Sequence, residues 1–192
     1  MPTSGTTTLD SRPAPEESPT GAGTGPGEHT SPHAYDAGLL VLRLVLGLTM
    51  AAHGAQKLFG WFGGNGLEGT GQFFSSVGYP AGDVMAVVAG LTEGLGGLAL
   101  ALGLLTPLAG AALFGTLLNV LAVQWGGGFF APKGIEYELL LTAGAAALTL
   151  TGPGRYAADR MLPVLRAHRL GYGATALVVG AAAAGVLLLV RG

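Results

Sequence analysis

The stretch LLVLRLVLGLTMAAHGAQKLFGWFGG, residues 39–64, decides how the rest of the chain is interpreted. About 20 apolar residues, each rising ~1.5 Å, allow a helix to cross the hydrocarbon core of a bilayer. Four polar or ionisable side chains interrupt this stretch: Arg43, His53, Gln56 and Lys57. An ionisable group at that depth costs about 2.5 kcal/mol or more unless a partner, a cavity or the interface compensates it. The remaining sequence is therefore expected to supply partners for these groups.

The composition of the 192-residue chain is that of a membrane protein, since 49% of the residues are hydrophobic and only 10% are charged. The chain has no cysteine, which excludes disulfides, iron–sulfur clusters and thiolate metal sites made by this chain alone. No metal site and no covalently bound cofactor are predicted. The formal net charge of -2 provides no basic surface for nucleic acid, so a nucleic-acid partner is not expected either.

Five apolar segments predict an all-α membrane protein, because a lone strand in lipid would leave its backbone unpaired. The segments are residues 39–64, 84–105, 108–125, 135–151 and 170–190. The domains predicted from them are a disordered cytoplasmic tail at 1–36, a four-helix transmembrane bundle at 37–160, a basic interfacial connector at 161–169 and an additional C-terminal transmembrane helix at 170–192. Pro107 permits only a tight connection between the second and third segments, which predicts an antiparallel hairpin.

The distribution of basic residues predicts the orientation in the membrane. The link between the fourth and fifth segments carries Arg155, Arg160, Arg166 and Arg169, which predicts that it is cytoplasmic. The N-terminus is then cytoplasmic and the C-terminus outside. The loops on the outer side are rich in aromatic residues, and residues 67–77 repeat apolar side chains at helical spacing, which predicts a short interfacial helix.

Counting residues from the helix ends places the polar side chains in two layers. Glu93 and Asn119 form the middle layer, ~17 Å deep on the two helices of the hairpin. A carboxylate there must pair with a cation or take up a proton, because desolvation disfavours its charge. A pair between Glu93 and Arg43 is the simplest compensation. The outer layer holds His53, Gln56, Lys57, Gln124, Trp125, Glu136, Tyr137 and Glu138.

These polar residues have two interpretations that the sequence leaves open. They could form a functional pocket, or they could hold helices together by hydrogen bonds and reach toward the interface. Gly90, Gly94, Gly96 and Gly97 are expected to permit close helix packing without chemistry of their own.

The sequence resembles the DoxX family of small bacterial membrane proteins from about residue 38 to residue 160. The resemblance is carried by the HGAQKLFG segment, the FFSSVGYP loop, the intramembrane Glu93 and the GPGRYAAD segment. It implies a four-helix membrane bundle in the bacterial plasma membrane and an association with membrane-bound oxidoreductase complexes. It brings no agreed catalytic set, so only Arg43, His53, Lys57, Glu93 and Glu138 are taken from it as candidates. The N-terminal tail and the fifth apolar segment lie outside it.

Three functional hypotheses follow. In the first, the chain is a redox-associated subunit with oxidoreductase partner subunits, and a quinone-like headgroup binds a pocket of His53, Gln56, Lys57, Trp125 and Glu138 while Glu93 moves protons. In the second, it is a small proton or solute transporter using Glu93 and Asn119 at the midplane. In the third, it is a non-catalytic membrane scaffold. Whether the chain is itself an enzyme, and whether it forms homo-oligomers, are left open.

Overall fold

The computed structural model describes Met1, residues 31–161 and residues 170–191. Within these ranges all regular structure is helical, which confirms the predicted all-α class. The α-helices are α1 Pro32–Phe59, α2 Gly66–Ser76, α3 Gly82–Leu102, α4 Thr106–Gln124, α5 Glu136–Thr151 and α6 Leu170–Leu189. Short 3-10 turns lie at Trp61–Gly63, Trp125–Gly127 and Ala158–Met161.

Four of the helices are long and apolar enough to cross a membrane, within the ranges that the structure describes. They are α1, α3, the continuation of α4 as Thr106–Gly127, and α6. The predicted span at 135–151 is present as α5, but its 16 residues rise only ~24 Å, less than the ~30 Å hydrocarbon core. The chain is therefore a multi-pass membrane protein in which one helix of the bundle is shorter than a full span.

The ends of α1 differ from the sequence prediction at both sides. Pro32 occupies the first helical turn, where its missing N–H is not needed, so the helix includes five residues that were assigned to the tail. At the other end, Gly60 adopts a left-handed conformation with φ of 71° and donates its N–H to the carbonyl of Gln56. The helix therefore stops at Phe59. The predicted disorder of residues 2–30 and nearly all of the predicted connector lie outside the described residues.

Glycines bring α1 and α3 into backbone contact, as the sequence predicted for Gly90, Gly94 and Gly97. A Cβ added to Gly97 would lie 2.5 Å from the carbonyl oxygen of Gly47, and one added to Gly54 would overlap the backbone of Gly94. Such close approach requires residues without side chains. Together these glycines fix the register of the antiparallel pair.

The other helices assemble around α4, which packs against α3, α5 and α6. Positions 103–105 connect α3 to α4, so the predicted tight hairpin is confirmed. A cluster of buried aliphatic side chains fills the interior between the helices, including Leu46, Leu100, Leu113 and Leu148. α6 lies against α4, where a Cβ on Gly180 would come within 2.5 Å of the carbonyl oxygen of Ala111.

The bundle has two chemically different ends. We call the end where α1 and α4 finish the aromatic end, because its loops expose Phe59, Trp61, Phe62, Trp125, Phe129 and Phe130. The opposite end, where α3 and α5 finish and α4 begins, contains the buried Arg43, and we call it the arginine end. Between the loops of the aromatic end, α2 packs on α3 as the predicted short helix.

Candidate functional site

A cavity of about 250 Å³ lies between the helices, in the half of the bundle nearer the aromatic end. Its wall is largely apolar and includes Met50, Phe73, Phe74, Met85, Val88, Leu117, Val120, Val123, Leu141 and Leu187. Polar side chains interrupt the wall at His53, Lys57, Tyr79, Glu93, Asn119, Gln124, Tyr137 and Glu138. An apolar chamber with a few converging polar groups is the usual form of a small-molecule site.

An ion pair between α1 and α3 is the most deeply placed polar feature of this wall. The Nζ of Lys57 lies 2.5 Å from Oε2 of Glu93, whose side chain is only 2% exposed. The side chain of Lys57 is partly exposed. Gly54, one turn earlier on α1, lets α1 and α3 approach closely enough for the Lys57 side chain to reach Glu93. The pair neutralises a carboxylate that burial alone would strongly disfavour.

The prediction that Glu93 pairs with Arg43 is wrong. Arg43 lies at the arginine end, 1% exposed, and does not line the cavity. Its guanidinium donates to the carbonyl oxygens of Ala101 at 3.1 Å and Pro153 at 2.6 Å, and also to that of Tyr156. Arg43 therefore holds the segment after α5 against the end of α3.

Asp159 completes this structure at the arginine end. Its two carboxylate oxygens accept the backbone N–H groups of Leu105 at 2.6 Å and Thr106 at 2.9 Å, at the start of α4. Free N–H groups at a helix N-terminus need such an acceptor. Asp36, which was assigned to the tail, accepts the N–H of Arg155 at 2.8 Å in the same way. The GPGRY segment thus has a structural role.

His53 and Tyr137 connect α1 to α5 across the cavity. The Nε2 of His53 lies 3.0 Å from the hydroxyl oxygen of Tyr137. Tyr137 also interacts electrostatically with the carboxylates of Glu93 and Glu138, so these groups form one cluster.

Gln124 and Glu138 form a second polar pair in the wall, between α4 and α5. The Nε2 of Gln124 donates to Oε1 of Glu138 at 3.1 Å. The other carboxylate oxygen, Oε2, is buried and has no hydrogen-bond partner among the residues that the structure describes. A buried acceptor without a donor is costly, which makes it a notable feature beside a cavity.

Asn119 and Glu93 both line the cavity, but the hydrogen bonds of Asn119 are made to other residues. Its Oδ1 accepts the hydroxyl of Tyr79 at 2.9 Å, and its Nδ2 donates to the carbonyl of Gly115 at 3.0 Å. Tyr79 lies in the turn before α3, and burial raises the pKa of its hydroxyl, which the nearby Arg191 partly offsets. The hydroxyl is therefore protonated at neutral pH and acts as the donor.

Besides Arg43, two of the predicted pocket residues lie outside the cavity. Trp125 is 71% exposed in the loop after α4, and it does not contribute to the wall. Gln56 does not line the cavity, and its Nε2 lies 3.4 Å from the carbonyl oxygen of Phe62. Trp125 therefore belongs to the loop after α4, whereas Gln56 lies in the last turn of α1 and faces the loop that follows it.

Tyr79 is a polar residue of the wall that the sequence prediction missed, as is Thr116. In the sequence it appears only as an aromatic residue in a Gly-Tyr-Pro turn, a pattern that indicates an interfacial loop. The turn folds back so that the ring is 5% exposed, and Arg191 at the end of α6 lies 5.9 Å above it. Arg191 also donates to the carbonyl of Val77 at 2.7 Å, which fixes α6 to this turn.

A sequence model of the DoxX family matches residues 38–125, which run from α1 to the end of α4. A protein of Bacillus subtilis (strain 168) named "Putative oxidoreductase CatD" is 34% identical over 117 residues, covering 60% of this chain and 81% of that protein. No solved structure matches the chain.

Proposed function

Because the chain belongs to the DoxX family, we propose that it is a membrane subunit of a redox complex whose cavity binds the headgroup of a quinone. The name of the Bacillus subtilis relative supports an oxidoreductase function at the level of the family. The cavity supports the finer proposal, that the ligand is a lipophilic ring with polar substituents. The proposed location is the bacterial plasma membrane, with the N-terminus in the cytoplasm and the C-terminus outside.

The size and chemistry of the cavity suit such a headgroup. Its volume of about 250 Å³ is just below the ~300–1,000 Å³ of pockets for drug-sized ligands, so it suits a single substituted ring better than a larger molecule. The apolar wall favours the ring itself. Lys57, His53 and Tyr137 present N–H and O–H groups that the polar substituents of the ring can bond.

The Lys57–Glu93 pair is the observation that carries this proposal. A charged pair of this kind is costly to bury, and apolar packing in its place is often equally stable or more stable. Its position in the wall of a chamber gives it a role beyond stability, since Lys57 can donate to a ring oxygen while Glu93 exchanges a proton. A quinone becomes a quinol by taking up two electrons and two protons. We propose that a partner oxidoreductase subunit carries the electrons and that this chain binds the headgroup and handles the protons.

The transporter hypothesis has less support from the packing. A proton or solute path from Glu93 to the arginine end would have to pass through the bundle interior. In the described part of the chain, that interior is filled by Leu46, Leu100, Leu113 and Leu148, which are at most 4% exposed. The polar groups that line the cavity therefore lie in the half of the bundle nearer the aromatic end. This distribution suits a binding site, whereas a continuous path would need polar groups along the whole bundle.

The proposal is tested by the quinone content of the purified protein. The full chain is purified in mild detergent from bacterial membranes, and extracted quinones are quantified by mass spectrometry per mole of protein. Val120→Trp places an indole in the cavity, whereas Val45→Trp makes the same change on an exposed face of α1. We expect wild type and Val45→Trp to retain quinone and Val120→Trp to lose at least about 90% of it, because the indole occupies the volume of the headgroup. Equal quinone in all three proteins, or none in any, contradicts the proposal.

A further inference from the structure

The polar groups of the cavity wall differ in whether their hydrogen bonds are already satisfied. On the side formed by α4 and the turn before α3, Tyr79 donates to Asn119, and Asn119 donates to the carbonyl of Gly115. The hydroxyl of Thr116 bonds the carbonyl of Ala112 in its own helix. This side therefore presents groups whose principal hydrogen bonds are made within the protein.

Unsatisfied acceptors lie on the opposite side, where α1, α3 and α5 meet. Oε2 of Glu93 accepts Lys57, but no residue that the structure describes donates to its Oε1. Glu138 has the same imbalance, since Gln124 donates to Oε1 and Oε2 is buried without a donor. The carboxyl group of Glu138 turns about a broad torsional minimum, so either oxygen can be presented to a ligand. His53 and Tyr137 bond each other at 3.0 Å, and each polar hydrogen used in that bond is not available to the carboxylates. Two carboxylates beside one lysine therefore leave more acceptor than donor capacity here.

This imbalance distinguishes the two redox forms of a ring ligand. A hydroxyl oxygen can accept an N–H of Lys57 and donate its own proton to a carboxylate oxygen, satisfying both neighbours. A carbonyl oxygen can accept from Lys57, but it turns a lone pair toward the carboxylates and leaves their oxygens without a donor. Unpaired buried acceptors beside a ligand lower its affinity by roughly tenfold or more.

We infer that the cavity binds the hydroquinone form of its headgroup in preference to the quinone form. The inference rests on the proposed function, and it adds which redox form the site selects. Glu138 is the residue that sets the preference most clearly, because its Oε2 has no donor within the described chain and Glu93 is already paired with Lys57.

The test compares the affinities of the two forms for the same protein. The full chain is placed in lipid nanodiscs without oxygen, and a short-chain alkylated benzoquinone and its dithionite-reduced hydroquinone are titrated by calorimetry. We expect wild type to bind the hydroquinone at least about tenfold more tightly. Glu138→Gln replaces an acceptor with an amide that can donate, so it is expected to reduce the affinity ratio to about threefold or less. Glu68→Gln makes the same change at an exposed site on α2 and is expected to keep the wild-type ratio.

The outcomes separate the inference from the proposed function. Equal affinities, or tighter binding of the quinone by wild type, overturn the inference while the headgroup site stands. Binding of neither form overturns the proposed function. An unchanged ratio in a folded Glu138→Gln protein removes Glu138 from the inference. If that variant does not fold, the wild-type ratio still decides whether the preference exists.

Discussion

The Lys57–Glu93 pair determines how the deepest polar group of the bundle is stabilised. Glu93 is almost completely buried, and its carboxylate forms an ion pair with the ammonium of Lys57. Removing one partner of such a pair leaves the other charge unpaired, which costs about 3–5 kcal/mol, whereas replacing both partners is often neutral. The pair is thus a sensitive test of the packing.

Lys57→Met is expected to lower the midpoint of thermal unfolding in detergent by about 5 °C or more, since it leaves Glu93 without a cation. Adding Glu93→Met to the same protein should recover most of that loss. Lys133→Met, at an exposed loop position, serves as the control and should change the midpoint little. If the double variant is less stable than Lys57→Met alone, the two residues do not act as a pair.

Arg43 has a structural role that differs from the one its sequence position indicated. Its planar guanidinium donates to three carbonyl oxygens, a geometry that the single ammonium of lysine cannot reproduce. We expect Arg43→Lys to lower the unfolding midpoint by about 4 °C or more while the folded protein keeps its headgroup affinity within about twofold. Differential scanning fluorimetry and the quinone titration measure the two effects. A loss of affinity at unchanged stability would place Arg43 in the site instead.

The direction of side chains on a helix explains why the sequence predicted the wrong partner for Glu93. Counting Cα positions placed Lys57 near the membrane boundary and Arg43 closer to the depth of Glu93. Helical side chains, however, lean toward the N-terminus of their helix. On α1 this direction carries the ammonium of Lys57 inward toward Glu93 and the guanidinium of Arg43 outward to the arginine end. Counting residues along a helix therefore does not predict where the end of a long side chain lies.

At the scale of helices, the contact between α1 and α3 positions the site. Gly47 and Gly54 on α1 face Gly94 and Gly97 on α3, and the first two are seven positions apart. This spacing keeps the small residues on one face of the helix. Because α1 supplies Lys57 and α3 supplies Glu93, the distance between these helices sets the distance between the charges.

Gly54→Ala is expected to destabilise the bundle strongly and to separate Lys57 from Glu93, because the new methyl group would overlap the backbone of Gly94. Gly185→Ala provides the matched control, since a Cβ at that position on α6 meets nothing within 4 Å. The control should unfold at or slightly above the wild-type temperature, because alanine favours helix over glycine. Circular dichroism melts in detergent compare the two. Equal stability of both variants would show that α1 and α3 are not in close contact.

The helices themselves were largely predictable from hydropathy, and their ends were less so. The segment predicted at 108–125 is α4 at Thr106–Gln124, because Pro107 favours a helix start and three glycines, residues 126–128, follow its end. The first segment was predicted to continue to residue 64, but the left-handed conformation of Gly60 ends α1 at Phe59, five residues earlier. Asp159 and Asp36, which bind N–H groups far along the chain, were missed because such contacts depend on the folded path of loops.

At the scale of the whole molecule, the two ends of the bundle have different tasks. The arginine end is held by hydrogen bonds of Arg43 and Asp159, and aliphatic side chains fill the interior next to it. The half nearer the aromatic end contains the cavity. The sequence resemblance does not extend to α6 and assigned it no role. In the structure α6 packs on α4 and α5, and its Leu187 forms part of the cavity wall. The sixth helix therefore belongs to the enclosure of the site.

Photo-crosslinking tests the central claim, that a headgroup binds inside the bundle, most directly. The full chain in nanodiscs is illuminated with an azido-substituted quinone, and the modified residues are identified by mass spectrometry. If the headgroup binds in the cavity, adducts are expected on cavity residues such as Met50, Val120 and Leu141, and they are expected to disappear when unlabelled quinone is added in excess. Adducts spread over exposed residues such as Val45 and Val179, with no reduction by the competitor, would contradict that claim.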